Sequence, residues 1–179
     1  QLSMVSFSDV NAISKIAVKT HFAGAAGTVA VAAITRLLGG KTDVIMMLNG
    51  ALAGLVAITA EPLTPSPMLA MFIGAVGAII MYFGTKMLES FGLDDVVGAI
   101  PVHMFAGIFG TLVVPLSNSE TSFGTQFVGV ISVIAFSFVL SYGVLSALKS
   151  TVGLRISKEA ERLGTDKAEV GVVAYSIRD

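Results

Sequence analysis

The feature that most constrains this chain is a run of 105 residues, 44–148, that contains only six charged side chains. Soluble domains have about 25% charged residues, whereas this whole chain has 13%, together with 54% hydrophobic residues. A water-exposed surface of normal polarity cannot be built from such a run. The composition excludes a disordered chain, a nucleic-acid-binding protein and an ordinary cytosolic enzyme, and it predicts an all-α protein embedded in a lipid bilayer.

Five segments are long and apolar enough to cross a bilayer, which takes about 20 mostly apolar residues. Short joints rich in glycine, proline, serine or aspartate separate them, so neighbouring helices should run antiparallel. The alternative, a soluble helical protein, would show a polar stripe, and 128–140 has no charge on any face. We predict a transmembrane domain over 1–152, a tail over 153–179, and spans at about 11–35, 44–60, 67–88, 96–114 and 126–148.

Basic residues lie almost entirely on one side of this predicted arrangement. Nine of the eleven lysines and arginines fall in the joint after the first span, the joint after the third, or the tail. Cytoplasmic loops carry the excess of positive charge, so the start of this chain is predicted outside and the tail inside the cell (inner) membrane. Lys15 and Lys19, the other two, lie one turn apart near the outer end of the first span, where they can reach the headgroups.

Two histidines fall within the predicted spans. An ionisable residue inside a membrane is costly and by default marks a path for ions or protons. His103 is eight residues into the span 96–114, about 12 Å from its start at 1.5 Å per residue, so we predict a pore or proton-relay position near mid-membrane. A structural histidine bonded to a neighbouring helix is the open alternative. For His21, nearer the outer surface, the structural interpretation is favoured.

Asp94 and Asp95 stand directly before the fourth span. Carboxylates there accept hydrogen bonds from the unpaired N–H groups of a helix start. Helix capping is therefore the predicted role of both aspartates, and ion binding is the alternative. Pro101 falls inside the predicted helix, where it would remove a backbone hydrogen bond and kink the helix. No nucleotide-binding loop, nucleophile with a base, or metal-ligand cluster is visible. We therefore predict neither an enzyme nor a bound metal or cofactor.

Glycine is abundant, with 19 residues, and much of it lies inside the spans. Small residues let helix backbones approach closely in lipid, where hydrophobic force between helices is weak. Tight packing within one subunit is predicted rather than a dedicated dimer face. The predicted packing positions are Asn49, Gly50, Gly54, Gly107 and Gly110.

Three motifs follow one another along the chain. Residues 93–103 read Leu-Asp-Asp-Val-Val-Gly-Ala-Ile-Pro-Val-His, residues 48–59 read Leu-Asn-Gly-Ala-Leu-Ala-Gly-Leu-Val-Ala-Ile-Thr, and the tail contains Gly-Leu-Arg-Ile-Ser at 153–157 and Ala-Tyr at 174–175. Together they resemble the Amt/Mep/Rh ammonium transporters. The resemblance implies a five-helix portion, helices seven to eleven plus the tail, of an eleven-helix fold with inverted repeats.

By this resemblance the function is ammonium/ammonia transport through a hydrophobic pore, with His103 as the second of two pore histidines. The first belongs to the family's fifth helix, which is absent here, so we expect a truncated or split product. The family implies a homotrimer at full length and a PII-type regulatory protein at the tail. An ammonium-sensing membrane module coupled to a cytoplasmic signalling partner is the alternative. The sequence departs from the family pattern at Lys19, His21 and Val170, the last of which stands where the tail usually has histidine.

Overall fold

A computed structural model describes residues 6–174, and that part of the chain is helical without a β-strand. The helices are α1 (Phe7–Gly39), α2 (Val44–Thr59), α3 (Pro67–Ser90), α4 (Ile100–Leu116), α5 (Phe123–Thr151) and α6 (Lys158–Leu163). Within α4, a π-helix at Ile100–Phe105 leads into an α-helix at Ala106–Leu112 and a short 3₁₀ turn at Val114–Leu116. The predicted all-α fold class is confirmed.

Polar side chains set the starts of the first three helices. Ser6 and Asp9 form a capping box, in which the Ser6 N–H donates to Asp9 Oδ2 at 3.0 Å and the Asp9 N–H donates to Ser6 Oγ at 3.3 Å. The side chains of Asp43 and Ser66 accept from the N–H three residues along, at 3.0 and 3.2 Å. These bonds satisfy donors that a helix start leaves unpaired. At the other end of α1, Gly40 takes the left-handed conformation that closes a helix (φ +72°).

The chain divides into two compact units, Gln1–Ile131 and Ser132–Asp179. In the first unit α1, α2 and α3 pack on one another, and α4 packs on α2 and α3. Its core is built mostly from small side chains, with a few larger ones between them: Ala23, Ala53, Ala57, Ala70, Ala78, Ala106, Val31, Ile58, Ile73 and Met81. Because small residues dominate, the backbones of neighbouring helices lie in direct contact.

Three helices in the described residues, α1, α3 and α5, are long and apolar enough to cross a bilayer. The predicted spans 44–60 and 96–114 fall on α2 and α4, which are apolar but shorter. With 16 residues, α2 extends about 24 Å at 1.5 Å per residue, less than the roughly 30 Å hydrocarbon core of a bilayer. The exact limits of the membrane-crossing segments therefore stay a prediction.

The fourth predicted span differs from the observed helix at its start. We expected helix from residue 96, but α4 begins at Ile100, and Pro101 is therefore in its first turn. The expected kink inside the helix is wrong, because an N–H at that position would have had no partner within the helix. His103 is the fourth residue of α4, so the predicted distance of about 12 Å from the helix start becomes about 6 Å when it is counted in the same way.

The second unit, Ser132–Asp179, contains the last part of α5 and the tail as far as residue 174. The Ser157 side chain accepts from the Ala160 N–H at 3.1 Å and caps α6. Arg155 forms an ion pair with Glu161 at 2.8 Å. Further on, backbone N–H groups of Ala174 and Lys167 donate to the Asp166 carboxylate and lower its pKa. Tyr175 of the tail motif lies outside the described residues.

Candidate functional site

The segment 91–99 links α3 to α4 and ends at the candidate site. It is not an extension of either helix, because Gly92 and Gly98 take left-handed conformations with φ of +68° and +72°. The Asp95 carboxylate accepts from the N–H groups of Ala99 at 2.9 Å and Ile100 at 2.8 Å. Asp95 thus occupies a capping position at the start of α4. The Asp94 side chain is exposed and makes no hydrogen bond within residues 6–174.

The side chain of His103 is exposed on the first unit, while Pro101 and Val102 before it are buried. Its neighbours on the helix surface are apolar, with Ile100 40% and Met104 42% exposed. Within the described residues, no hydrogen bond reaches the imidazole ring. An imidazole buried in a membrane protein needs a polar partner, and the described residues supply none to His103.

The backbone around His103 is unusual, because the histidine lies within the π-helix that opens α4. Such turns are rare and are found frequently at functional sites. A neutral imidazole can donate from one ring nitrogen and accept at the other. His103 therefore brings both a donor and an acceptor to the exposed face of α4.

Asn49 of α2 holds the segment that leads to His103. Its Nδ2 donates to the carbonyl oxygen of Val97 at 3.2 Å. Gly98 packs against the same amide, because a Cβ atom added to Gly98 would lie 2.8 Å from Asn49 Nδ2. The sequence placed Asn49 only among packing positions. The structure shows in addition that Asn49 tethers a loop 48 residues further along the chain, which the sequence did not indicate.

The four predicted packing glycines contact different partners. A Cβ atom on Gly54 would lie 2.5 Å from the carbonyl oxygen of Ala23, and one on Gly50 would lie 2.7 Å from Val31 Cγ2, both on α1. A Cβ atom on Gly110 would overlap the backbone carbonyl of Ala57 on α2. Gly107 is different, because a Cβ there would make an ordinary contact of 3.6 Å with Val56.

The polar residues of α1 lie apart from this site. His21 Nδ1 is 2.7 Å from the carbonyl oxygen of Ala17, one turn back on its own helix. Lys19 donates to the carbonyl oxygen of Leu63 at 2.6 Å in the joint between α2 and α3. Among the residues that the structure describes, histidine and carboxylate side chains form no group that could hold a metal ion.

The fold and this site define an α-helical membrane protein in which one face presents a lone histidine among apolar side chains. A sequence model of the Ammonium Transporter Family matches residues 3–175. Ammonium transporter Amt2 of Archaeoglobus fulgidus is 39% identical over 184 residues, which cover 91% of this chain and 39% of Amt2.

Two solved structures share the fold. A protein named "Sensor Amt Protein" superposes with a TM-score of 0.83 at 29% identity, over 92% of this chain and 43% of that one. Mep2 of Candida albicans superposes with a TM-score of 0.75 at 24% identity, over 88% of this chain and 40% of that one, and shows likeness of fold alone.

The chain belongs to the ammonium transporter family. The resemblance to this family that the three motifs indicate is confirmed. The family and the apolar helices also support the predicted class, a multi-pass membrane protein. The chain spans about two fifths of the length of these two relatives, 39% of Amt2 and 43% of the sensor protein.

Proposed function

We propose that this chain forms one wall of a path for ammonium or ammonia across the membrane. The observation that carries the proposal is His103, an exposed imidazole without a hydrogen-bond partner in the described residues, set between apolar Ile100 and Met104. A wall of aliphatic groups disfavours hydrated ions and admits small, weakly polar molecules. The imidazole supplies a polar group along this apolar path, to which a permeating molecule or a proton can bind.

The proposed transport mechanism assumes that the other helices of a family member pack over the face of α4 that carries His103. The resemblance implies a second histidine, on a helix outside this chain, opposite His103. Two imidazoles in a dry pore share one proton readily but resist holding two, because adjacent positive charges repel. A shared proton of this kind provides a proton path beside the apolar path for ammonia. In this role His103 binds and passes on a proton and does not catalyse a reaction.

Assembly and location are part of the same proposal. We place the chain in the cell (inner) membrane with its start outside, and at full length in a homotrimer. The apolar window of α5 is only 6% buried, which supports lipid or further copies of the protein as its cover. The exposed charges of the tail, among them the Arg155–Glu161 pair, support a docking place for a PII-type regulatory protein.

A chimera tests the proposal. This chain replaces the matched segment of Archaeoglobus fulgidus Amt2, and methylammonium uptake is measured in cells that lack their own ammonium transporters. We expect uptake by the chimera and none above the empty-vector level by this chain alone, because one wall cannot enclose a pore. Amt2 itself is the positive control. Uptake by the chain alone would contradict the two-walled path.

Sensing is the second candidate, supported by the structural likeness to the protein named "Sensor Amt Protein". In that case the same histidine-containing face would hold ammonium without passing it on. A signalling domain encoded after Asp179, together with ammonium binding but no uptake by the chimera, would favour sensing over transport.

Orientation can be tested with single cysteines, since the chain has none of its own. Ser119→Cys is expected to react with a membrane-impermeant maleimide on intact cells, and Gly39→Cys only after the cells are opened. Both positions are exposed, and nothing lies within 4 Å of a Cβ at Gly39, so neither change disturbs packing. Equal labelling of both in intact cells would overturn the predicted orientation.

A further inference from the structure

The segment 94–102 leads into α4, and within residues 6–174 a single hydrogen bond joins it to another helix. That bond runs from Asn49 Nδ2 on α2 to the carbonyl oxygen of Val97 at 3.2 Å. The other bonds of the segment are internal: the Gly98 N–H donates to the Asp95 carbonyl at 3.1 Å, and the Asp95 carboxylate caps α4. Internal bonds keep the shape of the segment, whereas Asn49 fixes its place against α2.

Gly98 connects this tether to the first turn of α4. It is buried and takes the left-handed conformation, and the Asn49 amide lies directly against it. Its carbonyl oxygen accepts from the Val102 N–H at 3.1 Å. The Asn49 amide, the turn at Gly98 and the residue before His103 are thus linked in series. A shift of the backbone at 97–98 is therefore passed on to the imidazole.

The first turns of α4 need an anchor of this kind because their own hydrogen bonds do not fix their register. The Ala106 N–H reaches the Pro101 carbonyl five residues back, which is the spacing of a π-helix. A return to the four-residue spacing of an α-helix would turn the preceding side chains by up to about 100°. Pro101 and Val102 are buried, but apolar contact is not directional. The hydrogen bond from Asn49 supplies the direction.

We infer that Asn49 is a positioning residue for His103. Its amide holds the backbone at Val97 and Gly98 so that the first turn of α4 presents the imidazole on the exposed face. Asn49 acts through the backbone of α4 and has no assigned contact with ammonium or with the proton. The inference rests on the proposed role of His103 in a proton path.

Hydrogen exchange in this chain tests the positioning without transport. Pro101–Val102 is the one Pro-Val pair in the sequence, so labelling with ¹³C-carbonyl proline and ¹⁵N-valine isolates the NMR signal of the Val102 amide. Asn49→Leu, which replaces the amide by an apolar group of similar shape, should speed exchange of this amide about three- to tenfold, the size expected for losing one hydrogen bond between membrane helices. Asn49→Gln keeps the amide donor and should exchange more slowly than Asn49→Leu.

Ammonium-evoked current in the chimera with Amt2 tests the consequence for transport. Per folded protein, Asn49→Leu should lower the maximal current by a similar factor and leave the ammonium concentration at half-maximal current unchanged. The reason is that passage of the proton depends on the direction of the imidazole, whereas entry of ammonium does not. Asn49→Gln should carry more current than Asn49→Leu. A purely structural role would reduce the amount of folded protein and leave the current per folded protein unchanged.

The matched control is Asn118→Leu, which removes an amide that donates to Glu61 Oε2 at 3.3 Å beyond the other end of α4. It should leave both the exchange at Val102 and the current unchanged. Exchange that is unchanged in Asn49→Leu, or equally fast in Asn118→Leu, would overturn the inference whatever the current. So would full current in Asn49→Leu when His103→Ala has none. Unchanged current in His103→Ala would instead contradict the proposed function, and the exchange result would still decide the positioning.

Discussion

In the chimera with Amt2, His103→Ala is expected to abolish the electrogenic response to ammonium while the protein still folds and inserts. The alanine variant loses the group that accepts and releases the proton, and no other ionisable side chain lies beside it on the exposed face of α4. A fall of at least about tenfold in ammonium-evoked current corresponds to roughly 1.4 kcal/mol of added barrier. The current is measured on proteoliposomes adsorbed to a solid-supported membrane.

The chain supplies a matched control for this experiment in its other histidine. His21→Ala removes an imidazole whose Nδ1 lies 2.7 Å from a carbonyl oxygen on its own helix, and it should leave the current near that of the unmodified chimera. His103→Glu is expected to retain part of the current, since a carboxylate can also share a proton. If His103→Ala carries unchanged current, the histidine is structural and the proton-path role is wrong.

A large loss of stability is expected from Gly110→Ala. A Cβ atom at this position overlaps the backbone of Ala57 on α2, and a helix backbone cannot move aside as a flexible side chain can. Overpacking of a core typically costs about 1–3 kcal/mol, and a clash with backbone belongs at the upper end. We expect a clear loss of monodisperse protein on size exclusion in mild detergent and a lower midpoint of thermal unfolding.

Gly107→Ala is the matched control, with the same substitution one turn earlier on α4. Its Cβ would make an ordinary contact of 3.6 Å with Val56. Because alanine favours a helix over glycine by about 1 kcal/mol, this variant should be as stable as the parent or more so. Equal loss of stability in both variants would show that the α2–α4 contact does not depend on a bare backbone at residue 110.

The helical segments could be predicted from the sequence because long apolar runs between turn residues leave few other folds. The start of α4 was predicted wrongly, although the sequence contains a signal for it. Val96 and Val97 continue the apolar pattern towards His103, so the sequence there reads as helix. In the structure the backbone instead turns at Gly98, with φ +72°. The Asp95 carboxylate accepts hydrogen bonds from the backbone N–H groups of residues 99 and 100. Pro101, which is favoured in a first helical turn, was the available signal.

The sequence singles out His103 as a candidate site residue, but it does not predict which residues surround it. A histidine within an apolar run indicates a functional position on physical grounds, and His103 is indeed set among apolar neighbours. The tether from Asn49 to Val97 was not predictable, because it joins residues 48 positions apart and periodicity within one helix carries no information about such a pair. The difference between Gly107 and Gly110 likewise depends on which face of α4 meets α2.

The most direct test of the central claim is the structure of the chimera with Amt2 determined by electron cryomicroscopy. If His103 faces the pore, its imidazole should lie opposite a second imidazole from the Amt2 part, with ring nitrogens about 2.7–3.2 Å apart, and apolar side chains should enclose the pair. A structure in which the His103 ring points to lipid, or bonds to a group outside any path through the protein, would contradict the account.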